Sequence, residues 1–590
     1  MKKYLSYILL ISLVYLLYVN EDSKYIVAGV AVFIIGMQFM EDGFKFFSGG
    51  ILEKLIANST NTNSKAIFLG ITATAILQSS SLIAIIVISF LSAKIISLAG
   101  ALGVVFGSAV GTTATTWIVS TLGVKIDIAA FALPMIIFGV IFRFYKNRNF
   151  QGVGNILLGL GFVFLGIGYM KDGFEDLKQG IDLAQFAIDG YAGIIVYTLI
   201  GAFATVIIQS SSATMALTVT ALVTGQIVYI NAMAIAVGAN IGTATTAALG
   251  AMVSNANSKR MAVGLFIFKG ITAVITLASL YLMIDFVDYI SKYLGIKSDD
   301  WAMKLAVFHT LFNLVGLIIF SFFIPKLVIF LKKLFVEDKD SYISKPKFID
   351  MEVVAVPFAA LKATRKETIH LYDNASEVLS HAIMLHRHRY IGKSNISKIV
   401  KESSDIIDLN IDEFYESRIK SLYSDIIDYS TYFINELDDE KRSYLNDLRN
   451  ACRDIAESVK NTKELQKNIK KYISSNNGYI KDEYNYIREA IAKTINTINE
   501  IKNSKDEIDV LSKSELLKEY LKGLDVIATR RIDILIREKR IDKKMATSLL
   551  NDSYHANLII SRLISVSKVL WIQDLTIKEL GEDYEAKKNS

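Results

Sequence analysis

Cysteine is nearly absent. Cys452 is the only one in 590 residues, which excludes an internal disulfide and any multi-cysteine metal site. Histidine is sparse, six in all with five in the second half, and no HExxH or paired ligand spacing occurs, so no zinc or nucleophilic catalysis is suggested and the chain is not read as an enzyme. A Lys/Arg tract and a repeated basic-aromatic pattern are both missing, and the net charge of +6 is small for this length, which sets nucleic acid aside as a partner. Glycine almost disappears after Asp340, where only Gly392, Gly478, Gly523 and Gly581 of the 35 remain, while Lys, Glu, Asp and Arg become dense. Glycine is frequent in membrane helices and costs about 1 kcal/mol relative to alanine in soluble ones. The chain therefore divides near Phe335 to Met351, with Pro346 and Pro357, two of only four prolines, at or beside the boundary. Residues 1–335 read as a membrane domain, 336–357 as a linker and 358–590 as a soluble helical domain.

What the first half does have is long apolar runs. Tyr4 to Val19, Tyr25 to Met40, Ile96 to Leu122, Ile128 to Phe142, Val153 to Met170, Ile227 to Met252, Met261 to Ile284 and Leu305 to Leu331 each approach the length of a hydrocarbon core of about 30 Å. Two further runs, Ala66 to Ser92 and Tyr191 to Gly225, are uncharged but broken at their middle by Gln78-Ser79-Ser80-Ser81 and Gln209-Ser210-Ser211-Ser212. Each is either one polar-centred helix or two half-helices folded back as a re-entrant hairpin. With Lys2 and Lys3 inside and both runs re-entrant, the loops with Arg143, Lys146 and Arg148, with Lys259 and Arg260, and with Lys332 and Lys333 all fall on the cytoplasmic side. The acidic loop with Asp172, Glu175, Asp176, Asp182 and Asp189 falls outside, as does the stretch around Asp285, Asp288, Asp299 and Asp300. Full crossings would move Arg143 to Arg148 outside, so the hairpin reading fits better. No small-x-small cleavage site follows Tyr4 to Val19, which reads as an uncleaved anchor.

The first half also repeats itself. Gly70 to Ser81 answers to Gly201 to Ser212 at a shift of 131 residues, and the same shift carries Gly107-Ser-Ala-Val-Gly111-Thr112-Thr113 onto Gly238-Ala-Asn240-Ile-Gly242-Thr243-Ala244. Gly36 to Phe44 answers to Gly166 to Phe174 at a shift of 130. Repeat one covers about 25–145 and repeat two about 152–284. With re-entrant hairpins each copy has three full crossings, an odd number, so the copies are inverted relative to one another. Inverted repeats with interrupted segments at matching positions mark secondary transporters, whose sites lie where the two interruptions meet. The fold expected is all-α: a polytopic membrane protein with inverted repeats, two re-entrant hairpins and about eight transmembrane helices, plus a soluble helical-bundle domain.

Irregular backbone at membrane depth must be buried or line a wet cavity, so the two breaks should face each other. A half-helix beginning after a break presents free amides and its positive end, and Ser79, Ser80, Ser210 and Ser211 add hydroxyl donors, which makes an oxyanion site. Oxygens of Gln78, Gln209, Thr112, Thr113, Asn240 and Thr243, with nearby freed carbonyls, suit a monovalent cation. No charged residue or His lies in either hairpin or in the glycine-threonine segments, so the site is expected to carry no fixed charge. A multiply charged anion there would need cations beside it, a physical reason for sodium coupling, and a carboxylate proton relay is disfavoured. Thr115, Thr116, Thr245 and Thr246 are open to either reading, packing or ligand. Gly111 and Gly242 read as close-packing or helix-break positions, Asp42 and Asp172 as helix-end or loop residues, and His309 and Trp117 as packing residues.

The paired Gln-Ser-Ser-Ser motifs, each followed by a glycine-threonine segment, resemble the type II sodium/phosphate cotransporter family over roughly Tyr25 to Leu331. The resemblance implies a sodium-dependent symporter of inorganic phosphate in the cell (inner) membrane. Gln78, Ser79, Ser80, Gln209, Ser210 and Ser211 would meet phosphate. Gln78, Ser81, Thr112, Thr113, Gln209, Ser212, Asn240 and Thr243 would hold sodium, with no other metal and no cofactor beyond the coupling ions. Asn240 is matched by Ala109, so a sodium site using that position exists at most once.

From Glu352 to Leu580 apolar residues recur at three and four spacing, with polar breaks at Asp438-Asp439, Ser474 to Gly478 and Asn503-Ser504. The segment resembles a PhoU-like domain of two three-helix bundles, its best local match Leu448 to Glu457 and a faint one around Asn551 to His555. Asn450 and Cys452 stand where metal-binding acids would be wanted, so Asp454 and Glu457 read as a solvated or inter-helix face and no metal is expected. The same residues would serve a carrier that exports phosphate or takes another oxyanion, or a membrane sensor that reports through the bundles. A homo-oligomer or a regulatory partner contacting the C-terminal bundles is the remaining expectation, with the N-terminus and that domain cytoplasmic.

Overall fold

The computed structural model describes residues 21–48, 55–56, 59–123, 128–180, 185, 187–251, 255–335, 345–403, 405–407, 410–504, 506–524 and 530–572. Among them there are helices and no strands. The chain divides into two compact units, Met1–Glu337 and Asp338–Ser590. The first run, Tyr4 to Val19, lies outside the described residues.

The first unit contains α1 (Glu21–Ser48), α2 (Asn63–Leu77), α3 (Ser80–Ser92), α4 (Leu98–Gly111), α5 (Thr113–Ile118), α6 (Ile128–Arg143) and α7 (Arg148–Gly180). It continues with α8 (Gly190–Ile208), α9 (Ser211–Val223), α10 (Tyr229–Ala251), α11 (Ala256–Ala278), α12 (Leu280–Tyr293) and α13 (Trp301–Leu334). Six stretches among the described residues are long and apolar enough to cross a membrane. Five fall on expected crossings and the sixth is α8, the first arm of a broken run. Exposed Phe68, Leu199, Phe203, Leu282 and Phe322 give this unit the apolar surface of an integral membrane protein.

Several boundaries differ from the sequence reading. The run from Met261 ends at Ala278, and Leu280 to Ile284 begin the separate helix α12, which carries Asp285 and Asp288. Asp172, Glu175 and Asp176 lie within the 33-residue α7 and not in a loop, and Asp42 lies within α1. Hydropathy marks where an apolar stretch stops, whereas backbone hydrogen bonding carries the helix on into its polar flank.

Each copy is held by glycines set against carbonyl oxygens. A Cβ at Gly70 would collide with the Val104 carbonyl and one at Gly107 with that of Ile67. At Gly201 it would meet the Ile235 carbonyl and at Gly238 that of Thr198, so both contacts recur at the 131-residue shift. In both copies later residues of one helix meet later residues of the other: Gly107 meets Ile67 and Gly111 meets Ile71, as Gly238 meets Thr198 and Gly242 meets Ala202. So α2 runs parallel to α4 and α8 to α10, while α3 and α9 return the chain between them. Helices α1 and α7 pack instead antiparallel. Gly29 sits against Gly166 and Gly36 against Gly159, and the 130-residue shift exchanges those two pairs.

The second unit contains α14 (Pro357–Ala382), α15 (Ile396–Glu402), α16 (Ser421–Thr431), α17 (Asp439–Tyr472), α18 (Gly478–Asn503), α19 (Glu507–Leu524) and α20 (Lys543–Ser567). Asp438 caps α17, Asn477 caps α18 and Asp542 caps α20, each accepting from an early amide of its helix. Helices α14, α16 and α17 pack together, as do α18, α19 and α20, with α17 against α20 between the two groups. Glu457 pairs with Arg562 at 2.5 Å across α17 and α20. Glu367, fully buried, accepts the backbone N–H groups of Lys347, Phe348 and Ile349 at 2.6 to 3.2 Å. Arg488, also fully buried, donates to the carbonyls of Ile383, Met384, Val400 and Ser403 and to Asn485 Oδ1, which satisfies the C-terminal ends of α14 and α15.

Candidate functional site

Both polar clusters break the helix in the same way. Gln78 closes α2 at φ 56, ψ 20 and Gln209 closes α8 at φ 57, ψ 22, a left-handed conformation that costs a non-glycine residue about 1–2 kcal/mol. Each donates its backbone N–H four residues back, to Thr74 and Thr205. The next serine is extended and caps the following helix: Ser79 Oγ accepts from the Leu82 amide and Ser210 Oγ from the Ala213 amide, both at 3.2 Å. The Ser80, Ser81, Ser211 and Ser212 amides precede any intrahelical acceptor. At each break a carbonyl end, negative in the sense of the helix dipole, therefore adjoins an amide end, positive in that sense. One place can thus offer seats to a cation and an anion. Because capping uses only a lone pair of Ser79 and Ser210, their O–H groups still have a proton to give.

The two breaks are linked through α5. Thr115 Oγ1 donates to Gln78 Oε1 at 2.8 Å and lies 3.3 Å from Ser212 Oγ, so the first break, the first glycine-threonine segment and the second break meet at one hydroxyl. Thr115 was open to a packing reading, and the structure places it between the copies. The matching Thr246 instead bonds back to the Thr243 carbonyl at 3.0 Å. Burial is unequal in the same sense: Gln78 and Ser212 are buried, while their counterparts Gln209 and Ser81 are exposed.

Helix α13, outside both copies, completes the cluster. Thr310 donates to Thr113 Oγ1 at 3.1 Å and receives the Trp117 indole N–H at 2.9 Å. His309 Nδ1 lies 2.7 Å from Thr116 Oγ1. Asn240 donates to Asn313 Oδ1 at 2.8 Å, and Asn313 donates to the His309 carbonyl at 2.9 Å. His309 and Trp117 are thus hydrogen-bonded members of the cluster as well as packing residues. Thr112 bonds back to the Ser108 carbonyl at 2.9 Å, away from this exchange of side chains.

The expectation of a site without fixed charge is corrected. Lys269 of α11, only 8% exposed, donates from Nζ to Thr243 Oγ1, whose own hydroxyl reaches the Asn240 carbonyl at 2.8 Å. Among the described residues no carboxylate pairs with it. The sequence reading passed over Lys269 because it lies outside the repeated blocks. The available signal was that it is the one charge between Met261 and Ile284, and an ionisable residue inside a membrane run is a functional candidate on that ground alone.

Comparison with known proteins concerns the first unit above all. The profile of a family described as Na+/Pi-cotransporter matches residues 32–172 and 191–323, two stretches that each hold one break. The Escherichia coli (strain K12) protein named "Putative inorganic phosphate export protein YjbB" is 26% identical over 357 residues, 60% of this chain and 64% of that protein. The Salmonella typhimurium (strain LT2) protein of the same name is 26% identical over 358 residues, again 60% and 64%. The chain spans less than two thirds of the length of these relatives. YqeW of Bacillus subtilis (strain 168), named as an uncharacterized protein, is 30% identical over 294 residues, 49% of this chain and 91% of that protein. No solved structure matches.

Proposed function

Because this chain belongs to the Na+/Pi-cotransporter family, we propose that it carries inorganic phosphate across the cell membrane by alternating access between two inverted repeats, with sodium as the coupling ion. The observation that carries the reading is the duplicated break: the same left-handed glutamine and capping serine in two helix pairs, meeting at Thr115. The parallel course of α2 with α4 and of α8 with α10 supports re-entrant hairpins. At 13 residues each, α3 and α9 reach about 20 Å, short of a hydrocarbon core of about 30 Å. The amides after Ser79 and Ser210 would take phosphate together with Ser80, Ser211 and the glutamine amides. The carbonyl ends of α2 and α8, with Ser81, Ser212, Thr112 and Thr113, would take sodium, and the oxygens of Asn240 and Thr243 form a further cation seat in the second copy. The basic residues at the ends of α6, α11 and α13 support a cytoplasmic N-terminus and a cytoplasmic PhoU-like second unit, which would regulate the carrier or set its oligomeric state.

A second reading, export, is favoured by the name of the Escherichia coli relative. Direction follows gradients and leaves the chemistry of the site unchanged.

The test is uptake of radiolabelled phosphate into proteoliposomes under an inward sodium gradient or with choline in its place, for the natural chain and for Ser79→Ala and Ser210→Ala. Sodium-dependent uptake lost in both variants supports the reading. Folded protein that moves phosphate only outward from preloaded vesicles would favour export, and protein that moves none in either direction would overturn carriage.

A further inference from the structure

The two copies differ in charge beside the second glycine-threonine segment. Thr243 in the second copy holds the Lys269 ammonium, whereas the counterpart of Lys269 in the first copy is Phe138, whose side chain is 55% exposed and carries no charge. An ammonium and a sodium ion are both monovalent cations that bind neutral oxygens. The oxygens around Lys269 Nζ belong to the set that would otherwise seat sodium: the Thr243 hydroxyl, hydrogen-bonded to the Asn240 carbonyl, with the Asn240 side chain fixed by Asn313. A buried ammonium with no carboxylate partner is costly unless oxygen dipoles or a bound anion offset it. Thr243 accepts one of its three N–H donors, and the others remain for further oxygens of the seat or of the substrate.

We infer that Lys269 is a tethered cation occupying the sodium seat of the second copy, so that mobile sodium is taken up only elsewhere in the site and the carrier moves fewer sodium ions per cycle than two equal copies would. This rests on the phosphate-carrier reading for its transport consequence, but the occupancy of the seat is measurable without transport. The asymmetry has a use. An anion entering between the two breaks meets one positive charge already in place, and the remaining charge is supplied by ions that the gradient can drive.

The experiment uses the full chain in detergent and in proteoliposomes, with Lys269→Ala to empty the seat and Lys269→Arg to keep the charge. Binding of radioactive sodium to the detergent-solubilised chain is counted at saturation, on protein that elutes as a single species. The expected result is about one more sodium bound per chain in Lys269→Ala than in the natural protein or Lys269→Arg, as a seat released by its resident cation requires. In vesicles, phosphate flux by Lys269→Ala should show a steeper sodium dependence, with half-saturation for phosphate kept within about threefold at saturating sodium. Equal sodium counts in all three proteins would overturn the inference, whether flux is unchanged, as for a packing residue, or phosphate binding alone weakens, as for a direct phosphate anchor. If the natural chain moves no phosphate, the carrier reading fails, and the difference in sodium counts still decides the role of Lys269.

Discussion

Thr115→Val removes a single hydroxyl with almost no change in shape, and its effect can be worked out from the bonds it breaks. In the described conformation that hydroxyl donates to Gln78 Oε1 and contacts Ser212 Oγ, and both partners are buried. Leaving a buried polar group without a partner costs about 1–3 kcal/mol. The matching Thr246 makes only a bond within its own helix, and its potential partners Gln209 and Ser81 are exposed. If the copies exchange roles during transport, Thr246 bridges Gln209 and Ser81 in the opposite conformation. Thr115→Val should then disfavour the described conformation by about 5- to 150-fold relative to the other, while Thr246→Val does the reverse. Since Cys452 is the only native cysteine, a Cys452→Ala background allows single reporters at Ser81→Cys, open in the described conformation, and at Ser212→Cys, closed in it. The assay is the rate of labelling of each reporter by a water-soluble thiol reagent in proteoliposomes. Thr115→Val should raise labelling at position 212 and lower it at 81, Thr246→Val should do the opposite, and the double variant should return both rates toward the starting values. Changes in the same direction at both reporters would refute an exchange of roles between the copies.

Two further predictions concern the second unit, where the buried Cys452 thiol reports opening in the full chain through its labelling as urea is raised. Arg488→Met should lower the urea midpoint by the equivalent of about 3 kcal/mol, because it strands carbonyls at the ends of α14 and α15; burial lowers the guanidinium only to about 10, so it is charged at neutral pH. An unchanged midpoint would mean that water satisfies those carbonyls. Burial raises the Asp552 carboxyl from an ordinary 3.8 to about 6 against the opposing hydrogen bond from Tyr484, so the folded chain keeps a proton that the unfolded chain has released. The stability this proton contributes is full below pH 3.8 and is lost as pH rises through 6, about 1–3 kcal/mol in all. Asp552→Asn should therefore raise the midpoint at pH 7.5 and flatten its fall between pH 4 and 6.5, and a steeper fall in the variant would show the sign to be wrong.

The repeat, the two breaks and the division of the chain were legible because each depends on local pattern: identical residues at fixed shifts, a polar cluster inside an apolar run, and a change in glycine usage. The glutamine and serine at each break carry their own instruction, since a residue that ends one helix and a serine that caps the next are short-range matters. What was not legible came from contacts distant in sequence. Thr115 lies 97 residues from Ser212 and reads as an ordinary helix threonine until α9 is laid against α5. His309, Thr310 and Asn313 belong to a helix that has no copy, so self-similarity gave them no weight, and Lys269 stood in a segment whose counterpart holds phenylalanine at that position. Asp172, Glu175 and Asp176, assigned to the acidic loop with Asp182 and Asp189, were misplaced for a different reason, as hydropathy falls before the helix ends; Asp189 does precede α8, and Asp182 lies outside the described residues.

The contacts inside each pair of first hairpin arm and glycine-threonine helix and those at the two breaks are of different kinds, and this bears on how a carrier of this design would move. Inside each copy, glycine sets backbone against backbone: Gly70 on Val104 and Gly107 on Ile67 in the first, Gly201 on Ile235 and Gly238 on Thr198 in the second. Such contacts tolerate no intervening atom and cannot slide without a steric collision, so each first hairpin arm and its glycine-threonine helix form one stiff piece. Between copies the contact at the breaks is a shared hydroxyl, Thr115 to Gln78 and Ser212. A hydrogen bond at such a boundary can be exchanged for one to water, sodium or phosphate oxygen at a net cost of about 0.5–1.5 kcal/mol, far below the cost of separating a packed backbone pair. On the carrier reading, the two stiff pieces therefore part at the substrate, and an occupied site can rejoin them through the ions it holds.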